Sequence, residues 1–543
     1  MGYTIRGMQA MSVQACAKHF ILNEQQTSRT SMSSNIDDRT FHELYLWPFA
    51  EAIQSNVNVI MCSANKVNGT WACENKRLLT DIIRGELGFR GYIISDWDAH
   101  HDRRQSIEAG LDMSIPGSDA SGRNVLFGDA LLKAVESGEI HIDYLNDMAR
   151  RVLTSWHYVG QEKDFPSITI DKPLGDRLRL VNDRTASDAF KFGIVLLKNE
   201  GSLLPFSRVF DHDLFPEFTS NLQSLAAHHD KKVMLNLVHS RESDAIRSGN
   251  STILLSLKTQ HWGFGVSIVQ LVADMPSEMG DTGDRTSLRL SRGSIALVKA
   301  MAEVTENIIL VIYSPGPIAL EGISDHPSVK AVIWAGMSSA DSSSLGDILW
   351  GLFSPVGRLP FTIAHNVEDY NTAVLTGDDE FSEGLFIDYR HFDRSDIIPA
   401  YPFGHGLTYT TYRYNELKID HWVTAGPAIG VTLPGGRLDL WKLVARITCK
   451  ITNIGDTMGR ETLQLYIGLP RNIPNTPIRQ LRGFDKVTLN PGETNIGSFQ
   501  LKRRDLSYWD VKSQNWIVPR GTIDVWIGSS SRDLRVHGII QAI

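Results

Sequence analysis

The sequence predicts a multidomain α/β protein with a partial (β/α) barrel, a second α/β domain and a C-terminal β-sandwich. Over residues 1–160, short apolar runs alternate with amphipathic stretches, as in parallel strands joined by crossover helices. The alternation resumes near residue 193, and from about residue 438 it gives way to short strands of period-two hydrophobicity. The 543 residues suffice for three domains of ordinary size.

The first domain, residues 1–160, has the pattern of half a barrel. Strands are predicted at 13–20, 57–63, 91–95 and 110–115, and helices at 41–54, 76–87, 126–136 and 142–157. A complete eightfold barrel needs about 250 residues and twice as many strands. Residues 161–185 contain Pro166 and Pro173 and are predicted to form a linker.

The remaining chain divides into residues 186–395, a connecting segment at 396–435 and residues 436–543. In the middle part, apolar runs at 193–199, 251–257, 266–274, 307–313 and 329–335 predict a parallel sheet covered by helices on both faces. In the last part, runs at 444–453, 461–469, 496–501, 516–518 and 522–528 predict a β-sandwich.

Composition excludes several classes of function. The net charge of −8 is modest and gives no reason to expect a nucleic-acid partner or an anionic membrane surface. No apolar run approaches the roughly 20 residues that span a bilayer, and residues 1–8 lack the apolar region of a secretory signal.

The histidines at 98–102 lack zinc-site spacing, so we expect a solvated loop there and neither metal nor cofactor. Residues 502–504, Lys-Arg-Arg, are expected to be polar surface.

Cysteines and glycosylation sequons favour a secreted ancestry. Cys62 and Cys73 flank a turn-rich segment and are candidates for a disulfide, although two buried thiols fit the spacing as well. Asn68 and Asn250 each begin an N-glycosylation sequon, and chance accounts for such sequons equally well. Together these signals point to an oxidising compartment.

Asp96 follows the apolar strand predicted at 91–95 and precedes Trp97. In a parallel barrel the carboxyl ends of the strands carry the chemistry, so a carboxylate beside an indole suits a sugar-processing site. An aspartate at this position also suits a helix cap. Trp97 suits either the C–H face of a sugar or core packing.

Several motifs together resemble the fungal-type β-glucosidases of glycoside hydrolase family 3. They are AKHFILNEQ at 17–25, MCSANKVNG at 61–69, LGFRGYIISDW at 87–97, VLLKN at 195–199, GRLPF at 357–361, SEGLF at 382–386 and YPFGHGL at 401–407. The resemblance spans nearly the whole chain. It implies a β/α barrel, an α/β sandwich and a fibronectin type III-like domain. It also implies an extracellular enzyme without cofactor, and it is compatible with a homodimer.

The chemistry implied by the resemblance is retaining hydrolysis of non-reducing terminal β-D-glucosyl residues. Such an enzyme uses two carboxyl groups about 5 Å apart. Asp96 matches the family's nucleophile, and Glu278 is the candidate acid/base, with Asp274 and Asp281 in reserve. The sequence around Glu278 matches the family poorly, so a surface glutamate is the competing interpretation.

The resemblance also assigns sugar binding to Lys18 and His19, where a solvated strand end would be the ordinary interpretation. Two departures from the family stand against full activity. The family's barrel begins before the Lys18-His19 motif, so the chain resembles an N-terminally truncated member, and Ala64 stands where relatives have an orienting tyrosine. The alternatives are therefore an inactive family member or weak carbohydrate binder, and a β-xylosidase.

Overall fold

The computed structural model describes residues 1–117, 126–163, 165, 176–206, 233–238, 252–259, 266–272, 284–285, 287–303, 305–336 and 342–543. The first region contains strands β1 (Cys16–Phe20), β2 (Ser33–Ser34), β3 (Val59–Cys62), β4 (Lys66–Val67), β5 (Thr70–Trp71) and β6 (Tyr92–Ser95). Its helices are α1 (Gly2–Ala10), α2 (Asp38–Thr40), α3 (Trp47–Gln54), α4 (Arg103–Ala109), α5 (Asp129–Glu136) and α6 (Ile142–Tyr158), with π-helical segments at Phe41–Tyr45 and Arg77–Glu86.

In the described part of this region, β1, β3 and β6 form a parallel sheet in that order. Cys16 lies opposite Val59, and Val59 lies opposite Tyr92. One apolar core packs the helices against this sheet. The partial barrel predicted from the sequence is therefore confirmed.

The strand expected at 110–115 is reduced to one parallel bridge between Ile94 and Met113. The carboxylate of Asp112 accepts a hydrogen bond from the backbone N–H of Ile93 (2.8 Å). A side chain that takes a backbone donor competes with the strand ladder. The expected strand was wrong for this reason.

The second region contains α7 (Asp176–Gly193), α8 (Arg292–Ala302), α9 (Ser342–Leu349) and α10 (Tyr389–Arg394). Its strands are β7 (Val195–Asn199), β8 (Val233–Val238), β9 (Thr252–Thr259), β10 (Val266–Val272), β11 (Asn307–Tyr313) and β12 (Val329–Gly336). Apolar cores lie on both faces of the sheet. Helix α7 begins inside the expected linker 161–185, because both prolines that suggested a linker lie before Asp176.

The sheet of this region has the order β7-β12-β11-β10-β9-β8 and is mixed, not parallel as expected. β10, β11 and β12 pair in parallel, whereas β8, β9 and β7 are antiparallel to their neighbours. Residues 260–265 join β9 to β10, and this connection is too short for a parallel crossover of about a dozen residues.

The third region contains β13 (Tyr412–His421), β14 (Gly426–Pro427), β15 (Thr432–Leu433), β16 (Gly436–Arg437), β17 (Leu443–Asn453), β18 (Gly459–Gly468), β19 (Gln480–Leu489), β20 (Thr494–Lys502), β21 (Tyr508–Asp510), β22 (Asn515–Val518), β23 (Gly521–Gly528) and β24 (Leu534–Ala542). Sheets β13-β17-β20 and β19-β18-β23-β24 enclose one apolar core, as in a β-sandwich.

Contrary to the expectation of polar surface at 502–504, Arg503 and Arg504 are buried. The Arg504 guanidinium lies 3.8 Å from the ring centroid of Trp47 and 4.5 Å from that of Trp441. It also donates to the backbone oxygen of Trp47 (3.1 Å). A guanidinium can be desolvated between two indoles because its flat cation interacts with their π faces. Arg504 thus joins the third region to the first.

Candidate active site

Three polar segments meet at the carboxyl edge of the sheet of β1, β3 and β6. Lys18 and His19 lie within β1 near its end, Ser63 follows β3, and Asp96 and Trp97 follow β6. Because the strands are parallel, their carboxyl ends share one edge. The tertiary structure therefore places these sequence-predicted residues on a common rim.

Asp96 is held against this rim by its backbone and by one carboxylate oxygen. Its N–H donates to the backbone oxygen of Cys62 (3.0 Å), and its Oδ1 accepts from the N–H of Trp97 (2.8 Å). Its Oδ2 lies 3.9 Å from Nε2 of His19. Asp96 is 8% exposed. The carboxylate is fixed in direction yet still accessible.

The three predicted sugar-binding residues differ in exposure. Lys18 is exposed and His19 is half-buried. Trp97 is 63% exposed, which excludes the alternative role of core packing. An exposed indole beside a partly buried carboxylate offers a flat apolar surface next to a charge.

A disulfide and hydrogen bonds fix the loop after β3 beside Asp96. Cys62 and Cys73 form a disulfide with a Cα–Cα distance of 5.3 Å. Ala64 is buried, and the amide of Asn65 donates to the backbone oxygen of Leu22 (3.3 Å). Asn68 is exposed in the turn between β4 and β5, with its Oδ1 accepting from the N–H of Ile36.

The proposed acid/base Glu278 and its reserves Asp274 and Asp281 lie outside the described residues, as does Asn250. Just after that segment, Asp284 binds the first region. Its carboxylate accepts from the backbone N–H groups of Gln26 (3.0 Å) and Thr27 (2.7 Å). Burial alone would raise the pKa of Asp284, but these hydrogen bonds outweigh it and hold the pKa below its ordinary value. The second region thus docks onto the loop that follows β1.

The segment 98–102, expected to be solvated, contains a buried histidine. Nδ1 of His100 lies 2.9 Å from Oγ of Ser114, and its Nε2 lies 2.7 Å from Oγ of Ser106. The hydroxyl of Ser106 also donates to the backbone oxygen of Arg103 (3.0 Å). Ser106 therefore accepts from Nε2–H, and the neutral imidazole accepts from Ser114. Burial lowers the pKa of His100 to about 4.

A buried ion cluster supports β6 from below the rim. Asp112 accepts from Arg84 (2.7 Å) and from Arg151 (2.6 Å), as well as from Ile93 of β6. Its side chain is fully buried. Spacing in the sequence does not reveal this cluster, because the three ionic residues come from separate elements.

No group of three metal-ligating side chains and no membrane-spanning helix was found among the residues described.

Comparison with known proteins identifies the family. Residues 1–155 match the model described as the glycosyl hydrolase family 3 N terminal domain, and residues 252–409 match that of the C-terminal domain. Residues 461–531 match a fibronectin type III-like domain. The beta-glucosidase cel3A of Pyricularia oryzae is 41% identical over 100% of this chain and 79% of its own length. The chain belongs to glycosyl hydrolase family 3.

Three further proteins, one compared by sequence and two by structure, have a similar degree of identity to this chain. A probable beta-glucosidase L of Aspergillus terreus is 42% identical over 99% of this chain and 78% of its own length. The solved beta-D-glucoside glucohydrolase of Trichoderma reesei is 39% identical, with a TM-score of 0.86 over 100% of this chain and 80% of that chain. The solved beta-glucosidase D2-BGL of Chaetomella raphigera is also 39% identical, with a TM-score of 0.86 over 100% of this chain and 81% of that chain.

Membership of glycosyl hydrolase family 3 makes the chain a glycoside hydrolase. The geometry at the rim is compatible with this chemistry, because it presents a fixed, accessible carboxylate with an imidazole beside it.

Proposed function

We propose that this protein is a retaining β-glucosidase that hydrolyses non-reducing terminal β-D-glucosyl residues of cellobiose and other β-glucosides. The observation that carries the proposal is the Asp96 carboxylate, directed to the rim beside His19, in a chain about 40% identical to beta-glucosidases.

In the proposed reaction, Asp96 attacks the anomeric carbon while Glu278 gives its proton to the departing oxygen. The bond to the aglycone breaks, and a covalent glucosyl ester forms on Asp96. Glu278 then takes a proton from water, which attacks the same carbon and releases β-D-glucose. For its first role, as the acid, Glu278 needs a pKa raised by partial burial, so that it holds a proton near neutral pH.

Substrate binding is assigned to three residues on the rim. Lys18 and His19 donate charge-assisted hydrogen bonds to the hydroxyls of the terminal glucose. Trp97 covers the C–H face of the ring, which its 63% exposure permits.

We further propose that the protein acts outside the cell in the degradation of cellulose-derived glucosides. The disulfide between Cys62 and Cys73 suits an oxidising compartment, and exposed Asn68 suits a glycan. Asn250 is the second proposed glycan acceptor.

A second candidate function is carbohydrate binding without hydrolysis, favoured by the buried Ala64 in place of the tyrosine that relatives are expected to have. Loss of one preorganised donor costs about 10²–10³-fold in kcat. Activity on β-xylosides is the remaining alternative. It would depend on which residues surround the C6 position of the sugar.

The test is hydrolysis of p-nitrophenyl β-D-glucoside by the parent protein, Asp96→Asn and the control Asp98→Asn. Asp98 is exposed on the same loop, and its positive φ of 57° is one that asparagine tolerates. We expect release by the parent and the control but not by Asp96→Asn. Equal rates for all three would refute the nucleophile assignment.

Two further measurements separate the alternatives. The first product, observed by NMR, should be the β-anomer. Glu278→Gln should regain activity when azide is added, because azide attacks the glucosyl ester without needing an acid/base catalyst. Faster release from the β-D-xyloside would make the protein a xylosidase. Sugar binding without turnover in the folded parent would favour the non-hydrolytic candidate.

A further inference from the structure

A cavity of about 280 Å³ lies between the first and third regions. Its walls include Trp47 from α3, Glu86 from the π-helical segment Arg77–Glu86, and Trp509 and Trp516 from the third region. We call it the interdomain cavity. Its volume is near the lower end of the range for small-molecule sites, about 300–1,000 Å³.

The interdomain cavity is far from Asp96 in the topology of the sheet. The Arg77–Glu86 segment returns the chain from the carboxyl end of β3 to the amino end of β6. Glu86, its last residue, therefore lies towards the amino edge, whereas Asp96 lies at the carboxyl edge. The cavity does not belong to the proposed active site.

Fixed aromatic rings form one wall of the interdomain cavity. The ring of Trp516 packs edge to face against Trp47 (centroids 5.6 Å apart) and Trp509 (5.7 Å). His42 stacks on Trp509 at 3.6 Å with an interplanar angle of 6°. Arg504 lies against Trp47. The indoles are therefore preorganised, so a ligand would not have to order them. Because Trp509 is 3% and Trp516 is 8% exposed, only a small part of each ring is left for a ligand to contact.

Hydrogen bonds across the domain boundary also hold Trp509. Its N–H donates to Oε1 of Glu43 (2.9 Å), and its Nε1 donates to Oδ2 of Asp38 (2.8 Å). Asp38 also accepts from Nε2 of Gln514 (2.7 Å), which is another residue of the cavity wall.

Charges of both signs lie around the interdomain cavity. Glu86, with a side chain 29% exposed, lies 3.2 Å from Nε2 of His42. Arg437 is exposed on the same wall, and Gln514 adds an uncharged polar group. An anion would meet Glu86, a cation would meet Arg437 and Arg504, and a wholly apolar ligand would desolvate all of these groups without hydrogen bonds.

We propose that the interdomain cavity is a non-catalytic binding site for one neutral pyranose, such as D-glucose. A pyranose has apolar C–H groups for the small exposed part of the indoles, and hydroxyls that both donate to Glu86 and accept from Arg437. The occupied site joins the first region to the third. Binding at this site requires neither Asp96 nor catalysis, so its test is independent of the test of the proposed function.

The test counts bound sugar by equilibrium dialysis with labelled D-glucose up to tens of millimolar. The parent is compared with the double variant Glu86→Ala/Gln514→Ala and with Glu108→Ala, which removes an exposed carboxylate paired with Arg104 on α4. We expect the double variant to bind one glucose fewer per chain than the parent and the Glu108→Ala control. Equal binding by all three, or no binding by the parent, would overturn the proposal.

A milder variant keeps the test decisive if the double variant does not fold. Arg437→Ala removes an exposed side chain that donates to the backbone oxygen of Gly430 (3.2 Å). In the same dialysis experiment, we expect it to weaken the binding of the additional glucose at least fivefold. An unchanged affinity would overturn the proposal.

Discussion

Nε2 of His19 lies 3.9 Å from Oδ2 of Asp96, although their strands β1 and β6 are not neighbours but flank β3. The contact arises because parallel strands bring their carboxyl ends to one edge. In the proposed reaction, this half-buried imidazole binds the sugar that the Asp96 carboxylate attacks.

Replacing His19 should therefore weaken catalysis without unfolding the protein. A hydrogen bond to a charged group is worth about 1.5–3 kcal/mol, so His19→Ala should lower kcat/KM on p-nitrophenyl β-D-glucoside by about 10–100-fold. The control is His537→Ala, an exposed histidine paired with Asp524 in the third region. Equal kcat/KM values for the two variants would contradict the assignment.

Asp284→Ala should loosen the docking of the second region onto the loop after β1. Its carboxylate receives backbone hydrogen bonds from Gln26 and Thr27, so we expect a loss of about 2 kcal/mol at pH 7, measured by calorimetry. Because the folded pKa lies below the unfolded value of about 3.9, this stabilisation is present above that pH. It should disappear as the pH falls through the folded pKa.

The control for Asp284 is Asp147→Ala, which removes an exposed ion pair with Arg150. Surface pairs of this kind contribute about 0–1 kcal/mol. We expect the Tm difference between Asp284→Ala and the parent to shrink from pH 7 to pH 3. A constant difference would show that the ionised carboxylate is not the source of the stabilisation.

His100 should make the protein sensitive to acid. Its folded pKa of about 4 lies below the unfolded value of about 6.5, so protons bind preferentially to the unfolded chain. Between these values, falling pH should remove up to about 3 kcal/mol of stability. His100→Gln should lower Tm at pH 7 but flatten its decline from pH 7 to pH 4.

The matching control for His100 is His537→Gln, which should leave the slope of Tm against pH unchanged. A parental slope in His100→Gln would show that other groups cause the acid sensitivity. Because His100 also orders the loop after Asp96, we expect activity to fall over the same pH range.

Removal of the Cys62–Cys73 disulfide should affect both stability and the site. It closes a loop with a sequence separation of 11, so Cys62→Ala/Cys73→Ala should lose about 2–3 kcal/mol. Activity should also fall, since the backbone oxygen of Cys62 positions Asp96. Cys16→Ser, at a free cysteine, is the control. Identical Tm values with and without dithiothreitol would argue against a stabilising bridge.

Hydrophobic patterning located most of the regular elements, because burial acts locally on each segment. The strand predicted at 307–313 is β11 (Asn307–Tyr313), whose five central residues are buried. The three-domain fold was likewise predictable from changes in hydrophobic period, and the position of Asp96 after β6 followed from an apolar run and a motif.

Other features depend on residues that the chain brings together from a distance. The strand expected at 110–115 is reduced to one bridge, because the carboxylate of Asp112 binds Arg84, Arg151 and the N–H of Ile93. His100 can be buried because the hydroxyls of Ser106 and Ser114 satisfy its two ring nitrogens, and no periodicity in the sequence signals these partners.

The sequence by itself determined the family, the order of the domains and the candidate nucleophile, since these depend on short motifs and local burial. Only the tertiary structure decided that His19 reaches Asp96, that the second sheet is mixed and that Arg504 is buried between Trp47 and Trp441. Strand direction and desolvation are set by packing between segments distant in the chain, and for this reason local pattern does not encode them.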